Sequence, residues 1–302
     1  FTGYRTDTPL TFTDTTTQSY TITEQIDNSK IDKITYVDTG NVLDMNESNA
    51  ETTTASENDI SAKEVYRIRL SYKDVDEFAV DANGALGIEI YDQTVTNPDG
   101  TTTVKFKNIT TADKYKTASM HDTPSPYENV EDDAIVLVKE TGELLLGKNV
   151  YNQLMAKTDD PKTTGNEAEI RLNYKKSKWE NNDLKPEHYF ACESDGIKYN
   201  KDYLQGISDE DKQTIEYDVG LNQRIRVNTT ADEVFTHDIS RDVEDLVRAM
   251  EDSIAMEKQV AMLKKMKEEG ASVDQQLAAA EKALTYLNEK TQQTFEGGIS
   301  KM

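Results

Sequence analysis

Residues 214–235, TIEYDVGLNQRIRVNTTADEVF, run into residues 239–296, where two helical patterns flank Glu269-Gly270-Ala271-Ser272. The first part reads as a β-hairpin. The second then switches from alternation to steps of three and four. Ile239, Val243, Leu246, Val247, Met250 and Ile254 fall at those steps. Val273, Leu277, Ala280, Leu284, Leu287, Thr291 and Thr294 follow a 4-3 heptad spacing, the signature of a narrow helical seam. Thr230-Ala231-Asp232-Glu233 and Ser272 with Gln275 fit capping boxes, Gly270 fits a helix C-cap, and Gly297-Gly298 is expected to end the second helix. Helices with one apolar stripe need partners to cover it. The spacing nominates Leu246, Met250, Ile254, Leu277, Leu284 and Leu287 as the packing and assembly residues. One reading packs the two helices on each other; the sharper reading adds further helices and neighbouring subunits.

Upstream, the pattern is that of strands. FTGYRTDTPLTF and QSYTITEQI, within residues 1–35, alternate Thr, Tyr and Ile with polar residues. Residues 44–61 are polar and read as a loop. EVYRIRLSYKDV (64–75) alternates at period 2. Turn signals follow at Asn83-Gly84, Pro98-Asp99-Gly100, Thr141-Gly142 and Asp195-Gly196, each between apolar or alternating runs. Short helical segments are expected near 111–116 and 150–157. The predicted class is α+β. A long antiparallel helical hairpin with a small β-hairpin region (1–35 and 214–302) forms one domain, and an antiparallel all-β domain (36–213) is inserted into it. The connecting segments around Ile22 and Ile215 are expected to run side by side.

The 302 residues carry a net charge of −23, which opposes binding to nucleic acid or anionic lipid. Residues 239–302 hold 12 acidic and 9 basic residues, so all but −3 of that charge falls on residues 1–238. A face that packs on copies of itself is better placed on the balanced segment. Mean hydropathy is −0.75, and no run of about 18 apolar residues marks a membrane span.

Chemistry is sparse. Cys192 is the single cysteine, so no intramolecular disulfide forms. His121, His188 and His237 have no metal-ligand spacing. Asp81-Ala82-Asn83-Gly84 lacks the later ligands of a calcium loop and reads as a turn. Glu131-Asp132-Asp133 reads as a solvated turn. No phosphate loop or nucleophile motif is present, so the expectation is no enzyme, no cofactor and no metal.

Phe1-Thr2-Gly3-Tyr4-Arg5-Thr6-Asp7-Thr8-Pro9 resembles a segment of the flagellin-like axial proteins. Ile215–Gly220, Ile225–Asn228 and Val234-Phe235 resemble the returning hairpin of that family, and Asp183-Leu184-Lys185-Pro186-Glu187-His188-Tyr189-Phe190 is similar to its hook-associated branch. The resemblance implies an internal fragment lacking the family's terminal helices, from an extracellular, secreted structural protein of the bacterial flagellum. It further implies an adaptor ring of identical subunits between hook-associated protein 1 and the flagellin filament, with no nucleic acid or membrane partner. Alternatives are flagellin or another axial protein and, in a different class, a β-rich surface adhesin or carbohydrate-binding module using Tyr66, Tyr72, Tyr91 and Tyr199.

Overall fold

The computed structural model describes residues 18–80, 86–100, 102–156, 170–179, 183, 185–186, 190–199, 216–220, 223–227 and 237–301. Two sheets share most of the strands. The larger has the order β12-β11-β1-β10-β5-β6, with β4 also pairing β10. Its strands are β1 (Tyr20–Ile26), β4 (Glu77–Phe78), β5 (Ile88–Thr96), β6 (Thr102–Asn108), β10 (Ile170–Lys176), β11 (Ala191–Ser194) and β12 (Ile197–Tyr199). The second has the order β2-β3-β9-β8-β7. It contains β2 (Ile31–Asp38), β3 (Ser61–Arg69), β7 (Tyr115–Ala118), β8 (Ile135–Val138) and β9 (Glu143–Leu146). Pairing is antiparallel except between β7 and β8. A separate ribbon pairs β13 (Glu216–Gly220) with β14 (Gln223–Arg226). Three helices are described: α1 (Lys148–Met155), α2 (His237–Glu268) and α3 (Asp274–Lys301).

The two sheets close on one core. Tyr20, Ile22, Ile88, Leu172 and Tyr174 from the larger sheet join Ile68, Ile135, Leu137, Leu144 and Leu146 from the other. Alternation explains the split: in β3, Tyr66 and Ile68 face this core, while Val65 belongs to a small cluster with Val136, Val138 and Leu145. Each buried aliphatic side chain contributes about 1.5–3 kcal/mol. Inside the body the buried Glu24 carboxylate accepts from the Ser71 N–H at 3.0 Å and from the Tyr174 hydroxyl.

Turn chemistry places the hairpins where the sequence predicts them. Pro98-Asp99-Gly100 joins β5 to β6, Thr141-Gly142 joins β8 to β9, and Asp195-Gly196 joins β11 to β12. Gly142 has φ +61, and a Cβ there would lie 2.0 Å from the Tyr72 carbonyl oxygen. Asn83-Gly84 lies outside the described residues, as do residues 1–17, Ile215, His188 and the Thr230–Glu233 capping box.

The expected class is overturned. The molecule is mostly β, with fourteen strands against three helices among the described residues, two of them C-terminal. It is not built on a long helical hairpin with a small β region beside it. The reason lies in residues 20–38. β1 pairs with β10 from Tyr20↔Lys176 to Ile26↔Ile170, and also with β11. β2 pairs with β3 over eight residues. Tyr20, Ile22 and Ile31 thereby enter the core between the sheets. Burial there outweighs any local pairing with the C-terminal ribbon, which pairs only within itself among the described residues.

Candidate assembly surface

Helices α2 and α3 lie antiparallel, linked by Lys264–Glu281 (2.9 Å), Lys290–Asp252 (3.0 Å) and a Ser253–Thr291 hydroxyl contact (3.0 Å). Gly270, at φ +99, follows the end of α2, and the Ala271 N–H closes the turn on the Met266 carbonyl. Against expectation, α3 continues through Gly297-Gly298 to Lys301, and it begins at Asp274.

The two ends of this pair are packed differently. At the turn end, residues 42–60 wrap the helices. Val42, Met45, Ala50, Ala55 and Ile60 pack with Met256, Val260, Leu263 and Met266 of α2 and with Val273, Leu277, Ala280 and Leu287 of α3. Side chains of both helices bond the loop backbone: Gln259 Nε2 to the Met45 oxygen (2.9 Å), Gln276 Nε2 to Thr53 (3.0 Å) and Lys282 Nζ to Glu57 (2.6 Å).

At the other end, α2 rests on the second sheet through charges. Arg67 of β3 reaches Glu143 of β9 at 2.8 Å, Asp245 of α2 at 2.7 Å and Asp32 of β2 at 3.6 Å. Arg69 reaches Asp245 at 2.9 Å and pairs with Asp242. Arg241 donates to the Thr141 carbonyl and lies 3.3 Å from Glu244, which is also 3.6 Å from Lys73. Tyr127 donates to Glu143. Burial opposes the charge on Arg67, but Glu143, Asp245 and Asp32 outweigh it and hold its pKa above the ordinary value. Burial likewise opposes the Asp245 carboxylate, and Arg67 and Arg69 outweigh it in the other direction. Arg241, with less compensation, is lowered by burial.

The apolar side of the same turns faces solvent. Ile239, Val243, Val247, Met250 and Ile254 are each between 43% and 49% exposed. They recur at steps of three and four, so they form one continuous stripe. The stripe stops at Glu257 and Lys258, both exposed, where the loop-wrapped half begins. The first half of α2 is therefore inside out, with charges toward the protein and hydrocarbon toward water. Two further apolar exposures accompany it. One is Phe295 on α3; the other is one face of the ribbon, where Tyr217, Val219, Ile225 and Val227 are 53% to 61% exposed.

Of the nominated residues, Leu277 and Leu287 are buried in the helix cluster, and Leu284 packs partly buried against it. Leu246 is half-buried, and Met250 and Ile254 lie on the open stripe. Sequence reasoning missed the buried phase of α2. Ala249, Ser253, Met256, Val260 and Leu263 keep a strict 4-3 spacing and were readable as a second seam. It also missed the ion lattice, whose contacts between β3 and α2 join residues more than 170 positions apart along the chain.

Among the described residues no group of three or more His, Cys, Asp and Glu could hold a metal. Among the described residues no helix is long and apolar enough to cross a membrane. Cys192 is buried. The tyrosines of the adhesin alternative are engaged: Tyr72 is core, Tyr66 stacks on Tyr151 at 3.9 Å, and Tyr91 meets Phe106 edge-on. The side chain of Tyr199 lies outside the description. No known protein family, curated protein or solved structure matches the chain.

Proposed function

We propose that the chain is a structural, non-enzymatic assembly component, and that its outward stripe on α2 is the docking face for partner helices. The single observation behind this is the inverted half of α2. A helix whose apolar side only needed shelter would turn it toward the β body. Here five side chains stay about half exposed, and a partner that covered them would gain roughly 1 kcal/mol each from burial before ordering costs.

The partner reading draws on the resemblance of residues 1–9, 183–190 and 215–235 to flagellar axial proteins. On that basis the chain belongs to a flagellar adaptor of the hook-associated protein 3 kind. A ring of copies would contact hook-associated protein 1 on one side and the flagellin filament on the other. The acidic β body would face water, and the nearly balanced helices would face the shaft. No residue here is assigned to catalysis.

Immunogold electron microscopy with antibody raised against this chain tests the reading on source cells. A labelled band between hook and filament is the expected result. Label along the filament would assign the chain to flagellin, and label over the cell body alone would overturn the flagellar reading.

A further inference from the structure

We propose that the buried ion lattice joining Arg67, Arg69 and Glu143 to Asp242 and Asp245 is an orienting device that holds the apolar stripe of α2 outward. The inference about purpose rests on the assembly reading above; the orientation itself does not.

Three observations carry it. First, the lattice is dry. The side chains of Arg67, Arg69, Glu143 and Asp245 are each no more than 12% exposed, and Asp242 is 10% exposed. Burying that many charges costs so much desolvation that replacing such a cluster with apolar residues of similar size is often neutral or stabilising. Stability alone therefore does not account for it. Second, an apolar alternative lies beside it. Val65, Val138 and Leu145 form an apolar cluster on the same face of the second sheet as Arg67, Arg69 and Glu143, because strand residues two apart share a face. That cluster is already covered by Tyr36, Tyr127 and Val130, so what this face offers α2 is Arg67 and Arg69; with both replaced by apolar residues, Val243, Val247 and Met250 would meet hydrocarbon there. Third, the lattice lies on the first turns of the stripe. Asp242 and Asp245 sit among Ile239, Val243 and Val247, ahead of the loop-wrapped half that begins at Met256. With Arg67 and Arg69 fixed on β3, turning the stripe inward would strip Arg69 of both its carboxylates, Asp242 and Asp245, and would take Asp245 from Arg67 in a buried setting. That outcome is strongly disfavoured. The unsatisfied charge blocks the collapsed arrangement, and the stripe stays available.

The test replaces the sheet side of the lattice as a unit, Arg67→Met, Arg69→Leu and Glu143→Leu, and keeps Asp242 and Asp245. The background carries Cys192→Ser and Val247→Cys, and reaction of the introduced thiol with a water-soluble maleimide is followed. With the native lattice, the thiol reacts at close to the rate of an exposed cysteine. With the apolar sheet side, the rate should fall at least tenfold, because Asp242 and Asp245 then favour water and the stripe favours the sheet. An unchanged rate would overturn the proposal, because α2 would then keep its orientation without the charges. Arg69→Met alone removes its two pairs with α2, leaves Arg67–Asp245 in place and guards against misfolding. It should slow labelling about threefold, and no change in a folded protein would equally count against the device. Failure of the assembly reading looks different: the thiol would respond to the lattice as described, yet substitution of the stripe would leave incorporation into the flagellum intact.

Discussion

Truncating Leu263 and Ile254 to alanine separates the two halves of α2. Leu263 is fully buried in the cluster formed by both helices and residues 42–60. Leu263→Ala loses the transfer free energy of the removed carbons and leaves a cavity that the wrapped loop can only partly fill. The cost is about 2–5 kcal/mol. For a chain of this size each kcal/mol moves the midpoint by about 2 °C, so the loss is roughly 4–10 °C. Ile254 is 45% exposed on the open stripe. Ile254→Ala removes contacts mostly with water, and its effect should lie within about 0.5 kcal/mol. Circular dichroism at 222 nm, which follows the helices, gives both midpoints under one condition. Equal losses for the two variants would refute the reasoning, since both sides of α2 would then be supporting the fold.

Other outcomes follow from single features. Gly142→Ala meets the Tyr72 carbonyl and a positive φ, so it should cost at least about 1 kcal/mol and lower the melting midpoint. Asp245 should shape the acid limb of stability. Its carboxyl is held below the usual value, so its contribution is complete above about pH 4 and is lost as pH falls through the folded value. Melts between about pH 2 and pH 6 should show a shallower acid slope for Asp245→Asn than for wild type. Burial pushes the Tyr115 hydroxyl, bonded to the Ile88 N–H and carbonyl, up to about 12. In an absorbance titration, Tyr115→Phe should remove an ionisation near 12, and removal of one near 10.0 would contradict the buried placement.

The local structure of the β body was legible because its signals are local. Pro98-Asp99-Gly100, Thr141-Gly142 and Asp195-Gly196 demand particular backbone angles, and each sits at a hairpin. Period-2 alternation in residues 64–69 marks β3 directly. The membership of β1 and β2 was not legible, because their partners are set by pairings such as Tyr20↔Lys176, far apart in sequence. That is why residues 20–38 suggested a small β region beside helices and instead complete two large sheets. The helices present a different obstacle. α2 carries two apolar phases, one at Ile239, Val243, Val247, Met250 and Ile254, the other at Ala249, Met256, Val260 and Leu263. The first is the more eye-catching, yet it is the uncovered one. The choice is made by what the β body presents, namely Arg67, Arg69 and Glu143, and no spacing within the helix reveals that. In α3, Leu277, Ala280 and Leu287 of the heptad are buried, as is Val273 just ahead of it, so there periodicity and burial agree, while Ala279 and Ala283 are buried beside the seam.

The most direct measurement charges the stripe in the complete protein within source cells, using Val247→Glu with Ile254→Glu. Both positions already face water, so the purified variant should melt with the wild type. It should nevertheless fail to form the band between hook and filament, and the cells should lose filaments and motility. Normal incorporation of a folded variant would contradict the claim that α2 turns its apolar side outward to meet a partner.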